Sequence, residues 1–285
     1  MSRKLILSAA VALIALAPLA VRADDPAPGA QSAAPTPVKA TPPKPPRKAS
    51  AQERADAERL APLARAAFWS REANIDPTDV VAGVGLASAL RALGQNPAAI
   101  EAASRVLVVD PKNYNALMET ARAYIAEGQG FYAIDPAQRA HALAAKDWRP
   151  LSILGVAYTQ VQREDDAQTA WRDALTLSPD NPAVLSNMAM SLAAHGQAAQ
   201  AETLLRRAVA QPDASLQIRQ NLSLVLGVQG ELVEAEKILR EDLPPEQADA
   251  DLAYLQALAA GRNGAGPVAT PAPERSWNAV KAAGG

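Results

Sequence analysis

The sequence predicts an all-α fold, a superhelix (α-solenoid) of about five helical hairpins with a capping helix at each end. One observation behind this prediction is that alanine recurs at a period of about 34 residues, surrounded each time by the same large, small and turn-forming residue types. Another is that strand signals are scarce, because no segment alternates between apolar and polar residues and the chain has only 2 Phe. Stacked helical hairpins account for both observations.

The segment from residue 148 to 179 shows the repeat most clearly. It contains, in order, Trp148, Leu151, Leu154, Gly155, Tyr158, Ala167, Trp171, Ala174 and Pro179. This spacing is typical of the tetratricopeptide repeat (TPR), a pair of antiparallel helices. Gly155 would let the second helix come close to the first, with Ala167 as the small residue at the crossing and Trp171 beside it. Pro179 cannot continue the second helix and would end the unit.

The same positions recur in phase along the chain. The central alanine is present in five units, as Ala99, Ala133, Ala167, Ala201 and Ala235. The turn between the two helices of a unit falls at Gly94, Gly128, Gln162, Gly196 and Gly230. The sequence therefore predicts a TPR domain over residues 51–260, with repeats near 80–113, 114–147, 148–181, 182–215 and 216–245 and a cap helix over 246–260.

Helix-start signals give two local expectations. Ser50 and Glu53 have the spacing of a capping box, which predicts one helix from there to about residue 73 as the N-terminal cap. Asn96 is expected to cap the second helix of the first repeat, with Pro97 in its first turn.

Two positions depart from the regular pattern. Gly83 lies in the first helix of the first repeat, where we expect the missing side chain to leave room for Trp69. In the second repeat, Asp135 followed by Pro136 predicts a short second helix over residues 136–146.

Residues 1–23 have the composition of a secretory signal peptide. Arg3 and Lys4 precede an apolar run over residues 5–16, which is followed by small residues. An uncleaved membrane anchor is the alternative, but the run is short for a spanning helix and Pro18 breaks it. We therefore expect export to the periplasm, either free or peripheral to the outer membrane. The chain contains no cysteine, so it offers no lipid acceptor and is not expected to be a lipoprotein.

The segments flanking the repeats are low in complexity. Residues 24–50 are rich in Pro, Ala and Lys and predict a disordered linker. Its basic end is either a solubilising spacer or a contact to an anionic lipid or wall surface. Residues 261–285 predict a disordered tail, in which Trp277 is either part of a docking motif or incidental.

The sequence contains no constellation for catalysis. There is no cysteine nucleophile, and His141 and His195 lie in different repeats without the spacing of a metal-ligand pair. His195 precedes a glycine that ends a helix, where an imidazole caps the last carbonyls. Motifs for phosphate binding, serine nucleophiles and nucleic-acid binding are absent. We expect no enzyme activity, cofactor, metal or small-molecule substrate. The alternative is an enzyme hidden in the array, which would need a polar catalytic cluster.

What remains is a surface for protein binding. The first helices of stacked TPR hairpins line a concave groove. In this lining we expect the partner-binding residues Asn115, Met118, Arg122, Arg149, Ser152, Gln160, Asn187, Met190, Gln217, Gln220 and Asn221. Asn187 and Asn221 are one period apart, and both are expected to be exposed. They either hold the backbone of an extended peptide or belong to the ordinary repeat consensus.

Residues 151–255 also resemble a known family. The stretches concerned are Pro-Asp-Asn-Pro at 179–182, Arg-Gln-Asn-Leu-Ser-Leu-Val-Leu-Gly at 219–227, Leu-Pro-Pro-Glu at 243–246 and Leu-Ala-Tyr-Leu at 252–255. In these the chain is similar to TadD, the TPR family of tight-adherence (Flp) pilus assembly. The resemblance implies a non-catalytic role in building such a pilus or its secretion machinery, with the pilus secretin or other cell-envelope components as protein partners. Members of that family are often outer-membrane lipoproteins, and this chain departs from them in lacking cysteine. A general periplasmic TPR scaffold for another envelope complex is the alternative.

Overall fold

The computed structural model describes residues 47–262. Within this range the chain forms thirteen α-helices and no strand, which confirms the all-α prediction. None of these helices is both long enough and apolar enough to cross a membrane. The predicted signal peptide, the linker up to residue 46 and the tail from residue 263, with Trp277, lie outside the described residues.

The helices follow one another as hairpins. Before the first hairpin come α1 (Ala51–Ala57) and α2 (Pro62–Ile75), and after the last comes α13 (Pro245–Arg262). The first helices of the five hairpins are α3 (Val80–Ala92), α5 (Tyr114–Ala126), α7 (Trp148–Gln160), α9 (Pro182–Ala194) and α11 (Leu216–Gln229). The second helices are α4 (Asn96–Val109), α6 (Gly130–Leu143), α8 (Glu164–Leu177), α10 (Ala198–Val209) and α12 (Leu232–Asp242). Five hairpins with capping helices at both ends are present, as predicted.

The first helices begin at capping residues that share the period of the hairpins. In four of them a side-chain oxygen accepts a hydrogen bond from a backbone N–H two or three residues later: Asp79, Asn113, Asp147 and Asn181. Such caps satisfy amide groups that the first turn of a helix leaves without a partner. Ser215 holds the same place before α11 without a side-chain bond. Each repeat therefore carries its own start signal.

Each hairpin turns at one residue with a left-handed backbone. In four hairpins this residue is a glycine with φ between 71° and 89°: Gly94, Gly128, Gly196 and Gly230. In the remaining hairpin, α7–α8, it is Gln162, with φ 61°. The next N–H then returns to the last turn of the first helix, as from Gln95 to the Leu90 carbonyl oxygen at 2.9 Å. The predicted turn position is confirmed in all five hairpins.

The core lies between the two helices of each hairpin and between neighbouring hairpins. The central alanines are all 0% exposed: Ala99, Ala133, Ala167, Ala201 and Ala235. In the third hairpin the Trp171 ring lies against Gly155, where an added Cβ atom would overlap the ring. The ring N–H of Trp171 donates to the Ser152 carbonyl oxygen at 3.3 Å. The predicted close crossing at Gly155 is confirmed.

The second hairpin differs from the prediction of a short helix over residues 136–146. The helix α6 begins at Gly130 and contains Pro136 in its interior. Proline in a helix interior removes a hydrogen bond and costs about 3 kcal/mol. Three alanines of this helix are nevertheless fully buried against its neighbours: Ala133, Ala137 and Ala140. Packing between helices therefore outweighs the local cost of Pro136.

The N-terminal cap is two helices, whereas one helix to residue 73 was predicted. The capping box of Ser50 and Glu53 is confirmed at the start of α1. The backbone is then extended at Ala61 (ψ 150°), and α2 begins at Pro62. A residue that precedes proline disfavours the helical conformation, which explains the break.

The predicted cap at Asn96 was wrong. Gln95 is the N-cap of α4, and Asn96 lies in the first turn with its side chain buried. The Asn96 amide donates to the Glu127 carboxylate of the next repeat at 3.0 Å. The residue thus connects two repeats and leaves its own helix uncapped by a side chain.

The predicted contact between Gly83 and Trp69 was also wrong. Trp69 packs against Gly85, where an added Cβ atom would lie 2.5 Å from the ring, and Gly83 faces Val106. Both glycines do allow close approach, but the rotation of α3 decides which helix each one meets.

Candidate binding surface

The first helices form a continuous layer. α3, α5, α7, α9 and α11 contact one another in succession, while the second helices pack mainly on first helices. A stack whose repeats are closer together on one side curves towards that side, so the first helices form the inner layer. We call the solvent-facing sides of these five helices the inner surface.

The predicted partner-binding residues divide into three groups on this layer. Four are buried, so their side chains belong to the packing: Met118, Ser152, Met190 and Asn221. Five are half-buried: Arg122, Gln160, Asn187, Gln217 and Gln220. Two are exposed: Asn115 and Arg149. The expectation that Asn221 is exposed was wrong, since its side chain is 4% exposed.

Asn221 is occupied by hydrogen bonds within the layer. Its Nδ2 donates to Ser186 Oγ of the preceding first helix at 3.0 Å, and its Oδ1 accepts from Gln217 at 3.1 Å. A buried amide whose hydrogen bonds are made inside the array is not available to hold a peptide. Asn187, one period earlier, is half-buried, and its Nδ2 has no hydrogen-bond partner in the described residues. The structure thus favours a packing role for Asn221.

The junction of α5 and α7 is polar at both ends. Tyr114 donates to the Asp147 carboxylate at 2.5 Å, and Arg149 donates to the same carboxylate at 2.6 Å. Burial alone would raise the pKa of Asp147, but these hydrogen bonds lower that pKa to about 2. Burial and the bond to Asp147 raise the pKa of Tyr114 to about 12. At the other end Gln160 donates to the Ile125 carbonyl oxygen at 2.9 Å. Two predicted binding residues, Arg149 and Gln160, therefore help to fix the junction.

A charged cluster lies where α3 meets α5. Glu119 is 6% exposed and accepts hydrogen bonds from Arg91 Nε at 2.8 Å and from Arg122 Nη1 at 3.0 Å. Arg122 was predicted from the sequence and Arg91 was not, because it is a contact between two repeats that brings the two arginines together. The sequence feature that could have indicated Arg91 is that the first helices contain several arginines and almost no acidic residues.

Solved structures share this architecture. A thermophilic TPR protein of Thermus thermophilus covers 61% of this chain and 96% of its own, with 22% identity and a TM-score of 0.55. A tetratricopeptide repeat protein of Parabacteroides merdae covers 72% of this chain and 79% of its own, with 12% identity and a TM-score of 0.59. PilF of Pseudomonas aeruginosa matches over 67% of this chain and 84% of its own length, with 17% identity and a TM-score of 0.50. No protein-family model and no curated protein matches the sequence. The described residues have the TPR fold.

The two histidines lie in different repeats of the TPR array. His195 is the C-cap of α9, and its Nδ1 lies 2.8 Å from the Ser191 carbonyl oxygen, which confirms the expected capping role. His141 lies in α6. Over residues 47–262 no group of three or more His, Cys, Asp or Glu side chains could hold a metal ion. The chemistry of the inner surface is that of amide and guanidinium groups, which bind carbonyl and carboxylate groups.

Proposed function

We propose that this chain is a non-catalytic periplasmic scaffold in the assembly of a tight-adherence (Flp) pilus or of its secretion machinery. It holds a segment of a cell-envelope partner against its inner surface. The TPR fold supports the scaffold role, because stacked hairpins present an extended surface that accepts a peptide or helix. The resemblance of residues 151–255 to the TadD family is the observation that carries the pilus role. The signal-like segment 1–23 supports the periplasmic location.

The inner surface has side chains suited to an extended segment. Asn115 on α5 is exposed, Gln220 on α11 is half-buried, and neither side chain makes a hydrogen bond within the described residues. An amide can both donate to and accept from a peptide backbone. Asn221 is occupied within the layer, and the unpartnered Nδ2 of Asn187 is itself buried, so Asn115 and Gln220 replace them as the amides best placed to hold a partner.

Deleting the gene in its native host tests the pilus role. We expect fewer surface pili and weaker adherence, restored by the wild-type gene, and a secreted chain whose N-terminus begins near residue 24. Electron microscopy, adherence assays and N-terminal sequencing provide the measurements. Normal pili and adherence in the deletion strain would exclude the pilus role and leave the general envelope scaffold.

A pair of substitutions tests the inner surface. Asn115→Ala with Gln220→Ala should weaken partner capture by roughly 1 to 3 kcal/mol, because hydrogen bonds to the partner are lost. The matched control is Asn74→Ala with Gln200→Ala, which removes two exposed amides from α2 and α10. Affinity isolation with the tagged chain gives the captured partner, and its affinity for the two variants is then compared. Equal effects of the two pairs would place the binding site elsewhere.

A further inference from the structure

Charge is divided unevenly between the two helix layers. The five first helices carry four arginines and one acidic residue: Arg91, Arg122, Arg149 and Arg219, with Glu119. The five second helices carry eleven Asp or Glu and seven Lys or Arg. The whole chain has a formal net charge of -2. Two of the four arginines are paired with carboxylates at helix ends, Arg149 with Asp147 and Arg219 with Asp242, so the excess positive charge of the first helices lies at Arg91 and Arg122.

The positive charge is concentrated at the cluster between α3 and α5. Arg91 uses Nε and Arg122 uses Nη1 to bind the buried Glu119 carboxylate. Their side chains are 23% and 24% exposed. Two guanidinium groups around one carboxylate leave one positive charge uncompensated, in a site that is partly shielded from water. Electrostatic attraction in such a site is stronger than between fully solvated charges.

We propose that the inner surface binds an acidic segment of the partner, with a partner carboxylate bound by Arg91 and Arg122. Guanidinium groups recognise carboxylates through paired, charge-assisted hydrogen bonds, and each of these arginines keeps nitrogens that Glu119 does not use. The segment continues along α5 towards α7, past the exposed Asn115 of α5 and the exposed Arg149 of α7. This inference rests on the proposed function, because it names the chemistry of the partner segment.

Binding of model peptides tests the charge preference. The probe is a fluorescein-labelled peptide of alternating Glu and Gly, measured by anisotropy beside matched Gln-Gly and Lys-Gly peptides and a single-stranded oligonucleotide. We expect the Glu peptide to bind best and to weaken as salt is raised. Equal affinity for the Gln peptide, or tighter binding of the oligonucleotide, would overturn the proposal.

Substitutions in the cluster locate the carboxylate site. Glu119→Gln removes the competing negative charge and should tighten binding of the Glu peptide about threefold. Combining it with Arg91→Gln and Arg122→Gln replaces the cluster by neutral amides and should weaken binding roughly tenfold relative to the wild type. The control, Arg105→Gln with Arg139→Gln, removes two arginines from α4 and α6 and should leave binding unchanged.

Circular dichroism establishes whether the triple variant is folded. A folded triple variant with wild-type affinity for the Glu peptide refutes the site. If the triple variant does not fold, the Glu119→Gln variant alone tests the site. An affinity of that variant for the Glu peptide that is equal to or weaker than the wild-type affinity refutes the carboxylate site. The proposed function is tested separately from this inference. If the deletion strain loses its pili but the protein does not bind the Glu peptide, only the acidic segment is rejected. If the protein binds the Glu peptide but the deletion strain has normal pili, only the pilus role is rejected.

Discussion

Gln162 shows how much a single turn residue contributes. Within residues 47–262 it is the one residue other than glycine with positive φ. Its turn is held by the Arg163 N–H, which donates to the Tyr158 carbonyl oxygen at 2.9 Å. A side chain in the left-handed region costs roughly 1 to 2 kcal/mol. The third hairpin therefore keeps the same turn as the others at a local cost in stability.

Replacing Gln162 with Gly should stabilise the protein by about 0.5 to 1 kcal/mol. The substitution removes the strain, although glycine also adds entropy to the unfolded chain. The matched control is Gly196→Ala, where φ is 79° and an added Cβ would have no atom within 4 Å. That control should lose about 1 kcal/mol through the backbone alone. Denaturant unfolding measures both, and no change in either would show that these turns are not strained.

Asp147 should make stability depend on pH. Its pKa is about 2 in the folded protein, below the ordinary value of 3.8. A lowered pKa contributes stability above about pH 4 and loses that contribution as pH falls towards 2. Asp147→Asn keeps an N-cap for α7 but does not titrate, so it should lose less stability than the wild type between pH 6 and about pH 3.

The control for Asp147 is Asp165→Asn, at an exposed position of α8. The Asp165→Asn variant should lose as much stability on acidification as the wild type, because the substitution leaves the α5–α7 junction intact. Urea unfolding at a series of pH values gives the comparison. If Asp147→Asn and the wild type lose the same stability on acidification, the junction is not the source of the dependence.

At the scale of the helices, the α7–α8 hairpin depends on one small residue and one large residue. Ala167 is 0% exposed and Trp171 is 1% exposed. Ala167→Leu should destabilise by roughly 1 to 3 kcal/mol through overpacking, and Trp171→Ala by roughly 3 to 5 kcal/mol through the cavity it leaves. Val233→Ala, at a side chain that is 86% exposed, should stay within about 0.5 kcal/mol of the wild type. Melting temperatures unchanged in the two core variants would contradict this packing.

Features within one hairpin could be predicted from the sequence. The crossing at Gly155 and the turn at Gln162 follow from spacing alone, because both helices and the turn lie within one period. Pro136 misled the prediction for α6, since its local penalty is known from sequence whereas the burial that outweighs it is not.

Features that join two repeats could not be predicted in this way. The hydrogen bond from Asn221 to Ser186 and the cluster of Arg91 with Glu119 depend on the rotation of one hairpin against the next. The 34-residue period does not encode that rotation. Consequently the first helix of each hairpin could be assigned from the sequence, but the burial of its individual side chains could not.

The whole array is built from contacts between neighbours in the chain, and α13 closes its C-terminal end by packing on α11 and α12. Leu252 and Leu255 of α13 are buried, and Leu255 lies against Gly227. Asp249 and Gln256 are exposed, and Asp249 forms an ion pair with Arg240 of α12 at 2.9 Å. In such a stack each hairpin is stabilised mainly by its immediate neighbours.

Leu255→Ala should therefore act locally. We expect a loss of about 2 to 5 kcal/mol in the last hairpin, because the cavity over Gly227 removes contacts that seal the end of the array. Hydrogen exchange followed by mass spectrometry should show faster exchange in α11, α12 and α13 and unchanged protection in α3 to α7, since stability in a repeat array is a sum of neighbouring terms. The control is Gln256→Ala, at the exposed residue that follows Leu255, and this variant should exchange like the wild type. Faster exchange throughout the array in Leu255→Ala would mean that the five hairpins unfold as one cooperative unit, and α13 would then stabilise the inner surface of α3 and α5 as well as its own neighbours.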